Sequence, residues 1–400
     1  MFVFAVKTKC FLYQNKQMNI ELKEVKTRAD LKKFVKFPFT LYKGVEYWVP
    51  PLTKTEMDTF DSRRNPAFKH SDVILLLAYK GDEIVGRIAG IINRKELSFI
   101  NQNHARFSWG EFIDDPAVST ALFHRVETWA KDKGMTILKG PYGFTDLDLA
   151  GYLIKGFEEV GTIFSPYNFP YYQKHLEALG FEKDVEWLEY ALDVPEALDD
   201  RFKRTLDLVQ KRYGIRPLEL KSRADLVLHS DGVFDLIIDT YKELHAYVPF
   251  SKEQIKSYVD QYINRLPPEF VCIVVDENGQ KVGFGVTAPS LLKAFKKANG
   301  SMFPFGVLRI YRALKKNDTV ELYLIGTKSE WRNKGVTAVI FSHFFNTFHK
   351  FGIKKVKANP MLIHNAKVLA LWKDYNPEEK RRRRSFIKVL KESENSLPKI

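Results

Sequence analysis

The chain has 400 residues, of which 45% are hydrophobic and 14% aromatic, and its formal net charge is +14. This length and composition exclude a disordered or fibrous protein and suit two domains that each bury a core. No apolar run approaches the roughly 20 residues that span a bilayer, and the apolar start lacks a basic leader, so we expect neither a transmembrane helix nor a signal peptide. Cys10 and Cys272 fit no disulfide or zinc spacing, which predicts a cytoplasmic protein without a metal site.

Residues 1–18 are predicted to form an N-terminal extension, in which Met18 is a second candidate start. A first domain is predicted over 19–198. Its hydrophobic periodicity predicts, in chain order, a strand at 20–25, a helix at 29–35, a hairpin of strands at 73–79 and 84–93, a strand at 106–113, a helix at 116–133, a strand at 136–139, a helix at 170–179 and a strand at 187–194.

A second domain, predicted over 199–400, repeats this order after a linking helix. The pattern predicts a helix at 200–213, a strand at 215–220, a helix at 230–244, a hairpin of strands at 270–275 and 281–287, a strand at 319–325, a helix at 337–350, a strand at 354–358, a helix at 365–373 and a strand at 383–389. Both domains are therefore predicted to be α/β, each with a twisted mixed (α+β) sheet flanked by helices.

Two sequence echoes indicate that the domains arose by duplication. The sequence reads EVKTRADL over 24–31 and ELKSRADL over 219–226. It then reads KGDEIVG over 80–86 and NGQKVG over 278–283, each time between two apolar runs. Two echoes at nearly the same offset favour one module written twice.

Only the second domain continues from its fourth strand into a basic glycine turn, RNKGVT over 332–337. Successive backbone N–H groups at such a helix start can bind a pyrophosphate, and a glycine allows close approach. The strand order and this turn resemble the GNAT acyltransferase superfamily, although Thr337 stands where that family has Gly or Ala. The resemblance implies that acyl-CoA binds at Ile325, Gly326, Thr327, Arg332, Asn333, Lys334, Gly335, Val336 and Thr337; an ordinary glycine packing position is the alternative.

A second motif, NAKVLALWKDYN over 365–376, resembles the GNAT segment that follows the fifth strand. The resemblance places Asn365 at the cofactor site and puts Trp372 where the family has a proton-donating Tyr. An indole cannot supply that proton. Either Tyr375 or Tyr323 replaces it, or water protonates the leaving thiolate.

The acceptor amine must lose a proton, and two residues are candidate bases. Glu321 lies on the predicted fourth strand, and His364 lies at the start of the last helix. Each also has a purely structural interpretation: Glu321 as a partly exposed strand carboxylate, His364 as a helix-capping or solvent-facing residue.

The first domain has Ile113-Asp114-Asp115 where the glycine turn would fall, and these acidic residues would repel a pyrophosphate. It carries instead an aromatic, proline-rich stretch over 140–172, interpreted as an acceptor or acyl channel or as a rigid packed loop. With the segments at 48–52, 64–66 and 85–88, this stretch resembles the bacterial ceramide-synthase-like family of tandem GNAT proteins. That resemblance implies N-acyl transfer from a fatty acyl-CoA to a sphingoid long-chain base; His364 departs from the acidic residue that the family favours before Asn365.

Residues 281–317 contain no Asp or Glu but many Lys, Arg and large apolar residues. This mixture fits an anionic membrane surface better than nucleic acid, and predicts peripheral association with the inner face of the cytoplasmic membrane. The alternative is that the apolar residues pack on the second domain while the lysines are solvated. We interpret a second basic run, Arg381–Arg384, as a solvated cluster at a strand edge or turn.

The sequence thus predicts an acyl-CoA-dependent N-acyltransferase with a hydrophobic amine substrate that binds where the two unequal domains face each other. One alternative is an aminoacyl-tRNA-dependent aminoacyltransferase of peptidoglycan precursors, since these enzymes also use tandem GNAT modules. Another is a non-catalytic protein that binds membranes or nucleic acid.

Overall fold

The structure, a computed structural model, describes residues 19–100, 102–145, 148–241, 251–261, 266–365 and 377–390. The strands in these residues are β1 (Ile20–Glu24), β2 (Ser71–Lys80), β3 (Glu83–Asn93), β4 (His104–Phe112), β5 (Ile137–Gly140), β6 (Tyr152–Lys155), β7 (Glu182–Asp193), β8 (Arg216–Pro217), β9 (Val271–Val275), β10 (Lys281–Pro289), β11 (Thr319–Thr327), β12 (Lys355–Ala358), β13 (Met361–Leu362) and β14 (Glu378–Val389). The α-helices are α1 (Arg28–Leu41), α2 (Thr53–Thr59), α3 (Arg94–Leu97), α4 (Pro116–Asp132), α5 (Tyr171–Ala178), α6 (Asp200–Tyr213), α7 (Arg223–Tyr241), α8 (Lys252–Gln261), α9 (Leu292–Ala298), α10 (Gly306–Lys315) and α11 (Val336–Phe351).

These strands form a single mixed sheet. Its order is β1-β2-β3-β4-β5-β14-β7-β12-β11-β10-β9-β8, with β6 added beside β14 and β13 beside β7. The pairs β4–β5 and β11–β12 are parallel, and the other neighbouring pairs are antiparallel. The predicted α/β class with mixed sheets and flanking helices is therefore confirmed.

The two halves of the chain exchange their last strands. β14, from the second half, lies between β5 and β7 of the first half, with Ile387 opposite Lys139 and opposite Glu182. β7 in turn pairs with β12 of the second half, with Leu192 opposite Val356. The sheet thus crosses the predicted boundary at 198/199, which stays a prediction. Below, "first half" means residues 19–198 and "second half" the described residues after 198.

The first sequence echo forms the same helix start in both halves. The Thr27 hydroxyl accepts a hydrogen bond from the Asp30 backbone N–H, and the Asp30 carboxylate accepts one from the Thr27 N–H, which makes a capping box at α1. At α7 the Ser222 hydroxyl accepts a hydrogen bond from the Asp225 backbone N–H, and the Asp225 carboxylate accepts one from the Ser222 N–H. The repeated residues are therefore explained by capping geometry.

The second echo positions one helix on each half of the sheet. Gly86 of β3 and Gly283 of β10 close the two equivalent hairpin motifs. An added Cβ would lie 2.7 Å from Leu122 Cδ1 of α4 at Gly86, and 2.3 Å from Val336 Cγ1 of α11 at Gly283. Each glycine lets its helix pack closely on the strand, and α4 and α11 each contribute more buried residues to their core than any other element.

Several predicted boundaries differ from the structure. α7 begins earlier than the predicted helix at 230–244, and β8 is shorter than the predicted strand at 215–220. Helices α9 and α10 lie within residues 281–317, the stretch without Asp or Glu. The predicted helix at 365–373 lies, apart from Asn365, outside the described residues.

The interpretation of Arg381–Arg384 as a solvated cluster is wrong, because this run lies in the central strand β14. Arg381 and Arg383 are each only 2% exposed. Arg381 donates hydrogen bonds to Ser165 and Glu189, with Nη1–O distances of 2.8 and 3.1 Å. Arg383 donates to the backbone carbonyls of residues 150, 151 and 166. The two buried guanidinium groups therefore hold the aromatic stretch of the first half against the sheet.

Candidate active site

Strands β11 and β12 separate part-way along their length. They pair in parallel over Thr319–Leu322 of β11, and β11 then continues without β12. A hydrogen bond from the Asn359 backbone N–H to the Leu322 carbonyl, 3.2 Å long, marks the end of their contact. A gap opens here beside residues 323–327, where an extended ligand can hydrogen-bond to the backbone of β11. Three predicted cofactor residues lie on this stretch: Ile325, Gly326 and Thr327.

A β-bulge lies at the start of this gap. The pairing of β11 with β10 shifts at Tyr323, because Val286 lies opposite Leu324 whereas Thr287 lies opposite Leu322. The first half has a bulge at the corresponding place in β4, where Trp109 adopts a left-handed φ of 44°. Bulges reorient side chains, and strained residues of this kind cluster at functional sites.

The predicted cofactor turn leads into α11. Gly335 has φ 78° and is the N-cap of the helix, without a side-chain cap. No group among the described residues accepts a hydrogen bond from the backbone N–H of Val336 or Thr337. Lys334 and Arg332 add positive charge to the same turn. Unpaired N–H groups at a helix start together with nearby cations suit a phosphate group, so the residues present fit the pyrophosphate of acyl-CoA.

Helix α6 packs directly on this turn. A Cβ added at Gly335 would lie only 2.5 Å from Val209 Cγ1. Asn333, two residues earlier, also has a left-handed φ (64°), but its side chain is exposed. The glycine therefore has a packing role in addition to the predicted role in ligand approach.

The equivalent helix start in the first half is occupied by a protein carboxylate. Asp115 caps α4 by accepting a hydrogen bond from the Ala117 backbone N–H at 2.9 Å, and it pairs with Lys80. Hydrogen bonds from Lys80 and Ala117 lower the pKa of Asp115. Asp114 beside it pairs with His175. A pyrophosphate would meet negative charge here, whereas the start of α11 offers uncapped N–H groups.

The candidate base Glu321 is fully buried in β11. Its Oε2 accepts a hydrogen bond from the Ile163 backbone N–H at 2.9 Å, and its Oε1 accepts one from the Ser290 hydroxyl at 2.6 Å. Burial raises the pKa of Glu321 to about 7, although both hydrogen bonds and the Lys357 ammonium oppose the increase. A pKa in this range suits a proton acceptor, but both oxygens already have protein partners.

The other candidate catalytic residues lie elsewhere. His364 is exposed in the turn that follows β13. Asn365 lies next to it, with its backbone N–H bonded to the Leu362 carbonyl at 2.9 Å. Tyr375 lies outside the described residues. Within the described part of the chain, His364 forms no hydrogen bond with Glu321 or with the cofactor turn. The catalytic roles of Glu321, His364 and Tyr375 and the cofactor role of Asn365 stay predictions.

A cavity of about 560 Å³ lies between the two halves. From the second half, Tyr323 of the β11 bulge and Ala288 of β10 line it. From the first half, residues 108–111 of the β4 bulge and residues 160–168 of the aromatic stretch line it. The two bulges thus face one mostly apolar cavity, and part of the aromatic stretch forms its wall, whereas Tyr172 packs in the core.

Three carboxylates that the sequence analysis missed line the end of this cavity in the first half. They are Glu56 of α2, Glu111 of β4 and Asp148 of the loop after β5. Burial raises the pKa of Glu56 to about 7 and also raises the pKa of Glu111 and Asp148. The sequence offered one signal for this site, namely that Arg87 and Glu111 are charged residues within otherwise apolar strands. In the structure they form a buried ion pair with an Nε–Oε2 distance of 2.5 Å.

The basic segment forms an exposed apolar surface at the cavity. Phe303 is 79% exposed and Phe305 is 62% exposed, and both lie just before the start of α10. Other residues of the same segment line the cavity, namely Leu292, Phe295, Met302, Val307, Ile310, Tyr311 and Leu314. We call residues 292–316 the basic apolar segment. The same segment therefore contacts both solvent and the cavity.

In the part of the chain that the structure describes, every helix is too short or too polar to cross a bilayer. The described residues also contain no group of three or more His, Cys, Asp or Glu side chains placed to hold a metal ion.

Two known proteins are similar in sequence to the chain over most of its length. Protein YghO of Escherichia coli is 28% identical over 316 residues, which cover 78% of this chain and 80% of that protein. The bacterial ceramide synthase of Caulobacter vibrioides is 25% identical over 315 residues, which cover 77% of this chain and 80% of that protein. No protein-family model matches the chain.

Solved structures with the same fold include a tandem GNAT protein from the clavulanic acid biosynthesis pathway. It has a TM-score of 0.56 and 10% identity, with 94% of this chain and all of that protein covered. A GCN5-related glucosamine N-acetyltransferase region of a fungal multi-domain protein has a TM-score of 0.54 and 11% identity, with 93% of this chain and 38% of that protein covered. The chain is thus a homologue of a bacterial ceramide synthase, and the chain itself has a tandem GNAT fold. Together, the homology and the fold support N-acyltransferase activity.

Proposed function

We propose that the chain transfers a fatty acyl group from acyl-CoA to a hydrophobic amine, and that this amine is a long-chain base. The observation that carries the proposal is the mostly apolar cavity between the two halves, which reaches the β11 bulge at Tyr323. A mostly apolar cavity with a few polar groups suits a long hydrocarbon chain with a polar end. Homology to a protein named bacterial ceramide synthase supports the same class of acceptor.

In the proposed reaction the CoA pyrophosphate binds at the Gly335 turn, and the thioester lies in the gap beside β11. The uncharged amine attacks the thioester carbon, so that the C–N bond forms, the C–S bond breaks and CoA leaves as its thiolate. Backbone N–H groups of β11 over 323–325 donate to the developing oxyanion. The amine proton passes to a base, for which Glu321 is the candidate in the second half. Positioning the amine beside the thioester supplies much of the rate.

Thiol release tests this reaction. The purified chain is mixed with a long-chain acyl-CoA and one amine at a time, drawn from long-chain amino alcohols, alkylamines and short polar amines, and free thiol is measured. We expect rapid release with the long-chain amines only. If no amine increases thiol release above acyl-CoA hydrolysis, the proposed function is wrong.

Coenzyme A binding tests the turn separately. CoA at about 100 times its Kd should stabilise the folded chain by about 2.7 kcal/mol. Lys334→Glu places a negative charge on the turn and should abolish the increase in melting temperature. Lys350→Glu, at the opposite end of α11, is the matched control and should preserve it. Equal CoA effects in both variants would exclude the turn as the cofactor site.

We also propose that the basic apolar segment docks on an anionic membrane. Its exposed aromatic residues Phe303 and Phe305 can insert among acyl chains while its lysines and arginines face lipid phosphates. Because the segment also lines the cavity, a hydrophobic amine could pass from the bilayer into the cavity without crossing water. The surface charge and the position at the cavity both support a lipid surface over a protein partner.

Vesicle sedimentation tests this docking. We expect binding to vesicles with anionic lipid and weak binding to zwitterionic vesicles. Phe303→Ser with Phe305→Ser, or neutral replacements of Lys293, Lys296, Lys297, Arg309 and Arg312, should each reduce binding. Phe99→Ser is the control, since Phe99 is 61% exposed in the first half, outside the segment. Wild-type binding by both sets of variants would refute the proposal.

A further inference from the structure

Helix α10 has one apolar face, and that face forms a wall of the cavity instead of packing in a core. Four of its apolar residues recur at helical spacing and line the cavity: Val307, Ile310, Tyr311 and Leu314. Apart from Gly306, no residue of α10 is fully buried. Val307 is 45% exposed and Tyr311 is 51% exposed, so water reaches part of this face. The cavity therefore covers the apolar face of α10 incompletely.

The opposite face of α10 is basic. Arg309 and Arg312 are exposed on it, and the helix contains no Asp or Glu. A helix with one apolar face and one cationic face suits the boundary between acyl chains and anionic head groups. An anionic bilayer therefore offers partners to both faces of α10, whereas the cavity offers a partner to the apolar face alone.

The chain on either side of α10 is held in place. Before the helix, the Gly300 carbonyl accepts a hydrogen bond from the Thr53 backbone N–H at 3.0 Å, which ties the end of α9 to the first half. After the helix, the Asn317 side-chain amide donates to the Ser290 carbonyl at 2.6 Å, which ties the start of β11 to the end of β10. α10 thus bridges two fixed points.

The middle of α10 has few ties to the rest of the chain. Among the described residues, one hydrogen bond joins it to another helix or strand, from Arg309 Nη1 to the Lys297 carbonyl of α9. No side chain of α10 belongs to a hydrophobic core of the described chain. The links at 299–305 and 316–318 are not helical, and a helix pivots at such terminal links. α10 can therefore leave the cavity wall without disrupting the sheet.

We propose that α10 is a lid that an anionic membrane opens. Away from a membrane its apolar face covers part of the cavity; at a membrane the helix swings outward and this face inserts between the acyl chains. The inference rests on the proposed membrane docking, but it adds a movement that docking through Phe303 and Phe305 does not need. The bilayer binds the open position better, since only that position presents the whole apolar face, and this difference in affinity shifts the equilibrium. The cavity therefore opens where lipid is present.

Fluorescence quenching by nitroxide-labelled lipids tests the movement. The small dye NBD is attached to one new cysteine at a time in the full chain with Cys10→Ser; Cys272 is buried and stays unlabelled. The labelled variants are Leu314→Cys on the apolar face, Phe303→Cys before the helix and Arg312→Cys on the basic face. The vesicles are phosphatidylcholine with phosphatidylglycerol, and nitroxides on their acyl chains quench a dye that enters the hydrocarbon.

We expect the dye at Leu314→Cys to lose most of its fluorescence on these vesicles, as does the dye at Phe303→Cys, whereas the dye at Arg312→Cys keeps it. Vesicles of phosphatidylcholine alone should quench little at any position. Quenching at Phe303→Cys without quenching at Leu314→Cys would overturn the lid and leave the membrane docking intact. Absence of quenching at both positions would overturn the docking and the lid together.

Unlabelled variants guard against a dye that itself displaces the helix. Ile310→Ser with Leu314→Ser removes much of the inserting face and should weaken binding to anionic vesicles at least about tenfold, because two large apolar side chains no longer enter the bilayer. Ala313→Ser, on the same helix but outside the cavity lining, is the control and should bind like the wild type. A single cooperative thermal transition shows that each variant is folded.

Wild-type vesicle affinity in the folded Ile310→Ser and Leu314→Ser double variant would refute the lid, because it would show that the apolar face stays in the cavity wall. Neither measurement depends on acyl transfer. Loss of thiol release would therefore refute the proposed reaction and leave the lid, whereas failure of the quenching test would refute the lid and leave the reaction.

Discussion

Replacing the buried carboxyl of Glu321 with an amide should stabilise the protein in a pH-dependent way. The pKa of Glu321 rises from an ordinary 4.5 to about 7, chiefly because of burial. Below about pH 4.5 the group is protonated in both the folded and the unfolded chain, and it costs nothing. As the pH rises to about 7 the unfolded chain releases this proton first, so the folded state loses about 3 kcal/mol at about 1.4 kcal/mol per pKa unit.

Glu321→Gln should remove this loss. The amide oxygen can still accept the hydrogen bond from Ile163, and the amide N–H can donate to the Ser290 hydroxyl. We therefore expect the variant to match the wild type at about pH 4 and to unfold at a higher urea concentration at about pH 8, by up to about 3 kcal/mol in the free energy of unfolding. Glu83→Gln, which removes an exposed carboxylate, is the control.

The reasoning fails if the stability difference between Glu321→Gln and the wild type is the same at both pH values. It also fails if the variant is destabilised at about pH 8, because that result would mean that the ionised carboxylate is stabilised by Lys357 more than burial destabilises it.

Three further variants test packing and capping. Gly335→Ala should lower the free energy of unfolding by about 2–4 kcal/mol, because its φ is left-handed and the added methyl group would clash with Val209. Adding Val209→Ala should recover part of that loss. If the effects of the two substitutions were strictly additive, the contact would be contradicted. Arg383→Leu should cost about 3–5 kcal/mol in urea unfolding because it removes the guanidinium donors to the buried carbonyls of residues 150, 151 and 166. Arg382→Leu, on the opposite face of β14, should cost under about 1 kcal/mol, and equal losses would refute the assigned burial. Thr27→Ala should cost about 1 kcal/mol of stability by removing the cap of α1, and an unchanged thermal midpoint would show that the capping box contributes nothing.

Most of the fold could be predicted because the elements have clear local patterns. α6 begins and ends where the sequence predicted, and the two hairpins around the glycine echoes are confirmed. The strand exchange could not be predicted, because β7 and β14 are both long strands that could pair with either β5 or β12. Register and partner depend on tertiary packing that no local pattern encodes.

The burial of Arg381 and Arg383 could not be predicted from the local sequence either. Four consecutive basic residues usually face solvent, but the alternation of a strand sends Arg381 and Arg383 to one face. There Glu189, which is distant in sequence, and the carbonyls of the aromatic stretch compensate them. Only the central position of β14 reveals this burial.

One part of the candidate site could be predicted from the sequence and another part could not. The cofactor turn is a contiguous motif and could be found from the sequence, whereas Glu56, Ser108 and Asp148 come from three elements with no shared motif. The sequence motifs therefore predict candidate bases only in the second half, Glu321 and His364, whereas the buried carboxylates of the cavity lie in the first half.

The exchange of strands also has a consequence for biosynthesis. During translation β5 emerges long before β14, which is among the last residues described. At about 5–20 residues per second, the ribosome takes on the order of tens of seconds to deliver the strand that completes the first half. For that time β5 presents an unpaired edge, which is a site for wrong pairing with other nascent chains. Protection of the β5 edge until β14 has been synthesised should therefore favour correct folding of this protein.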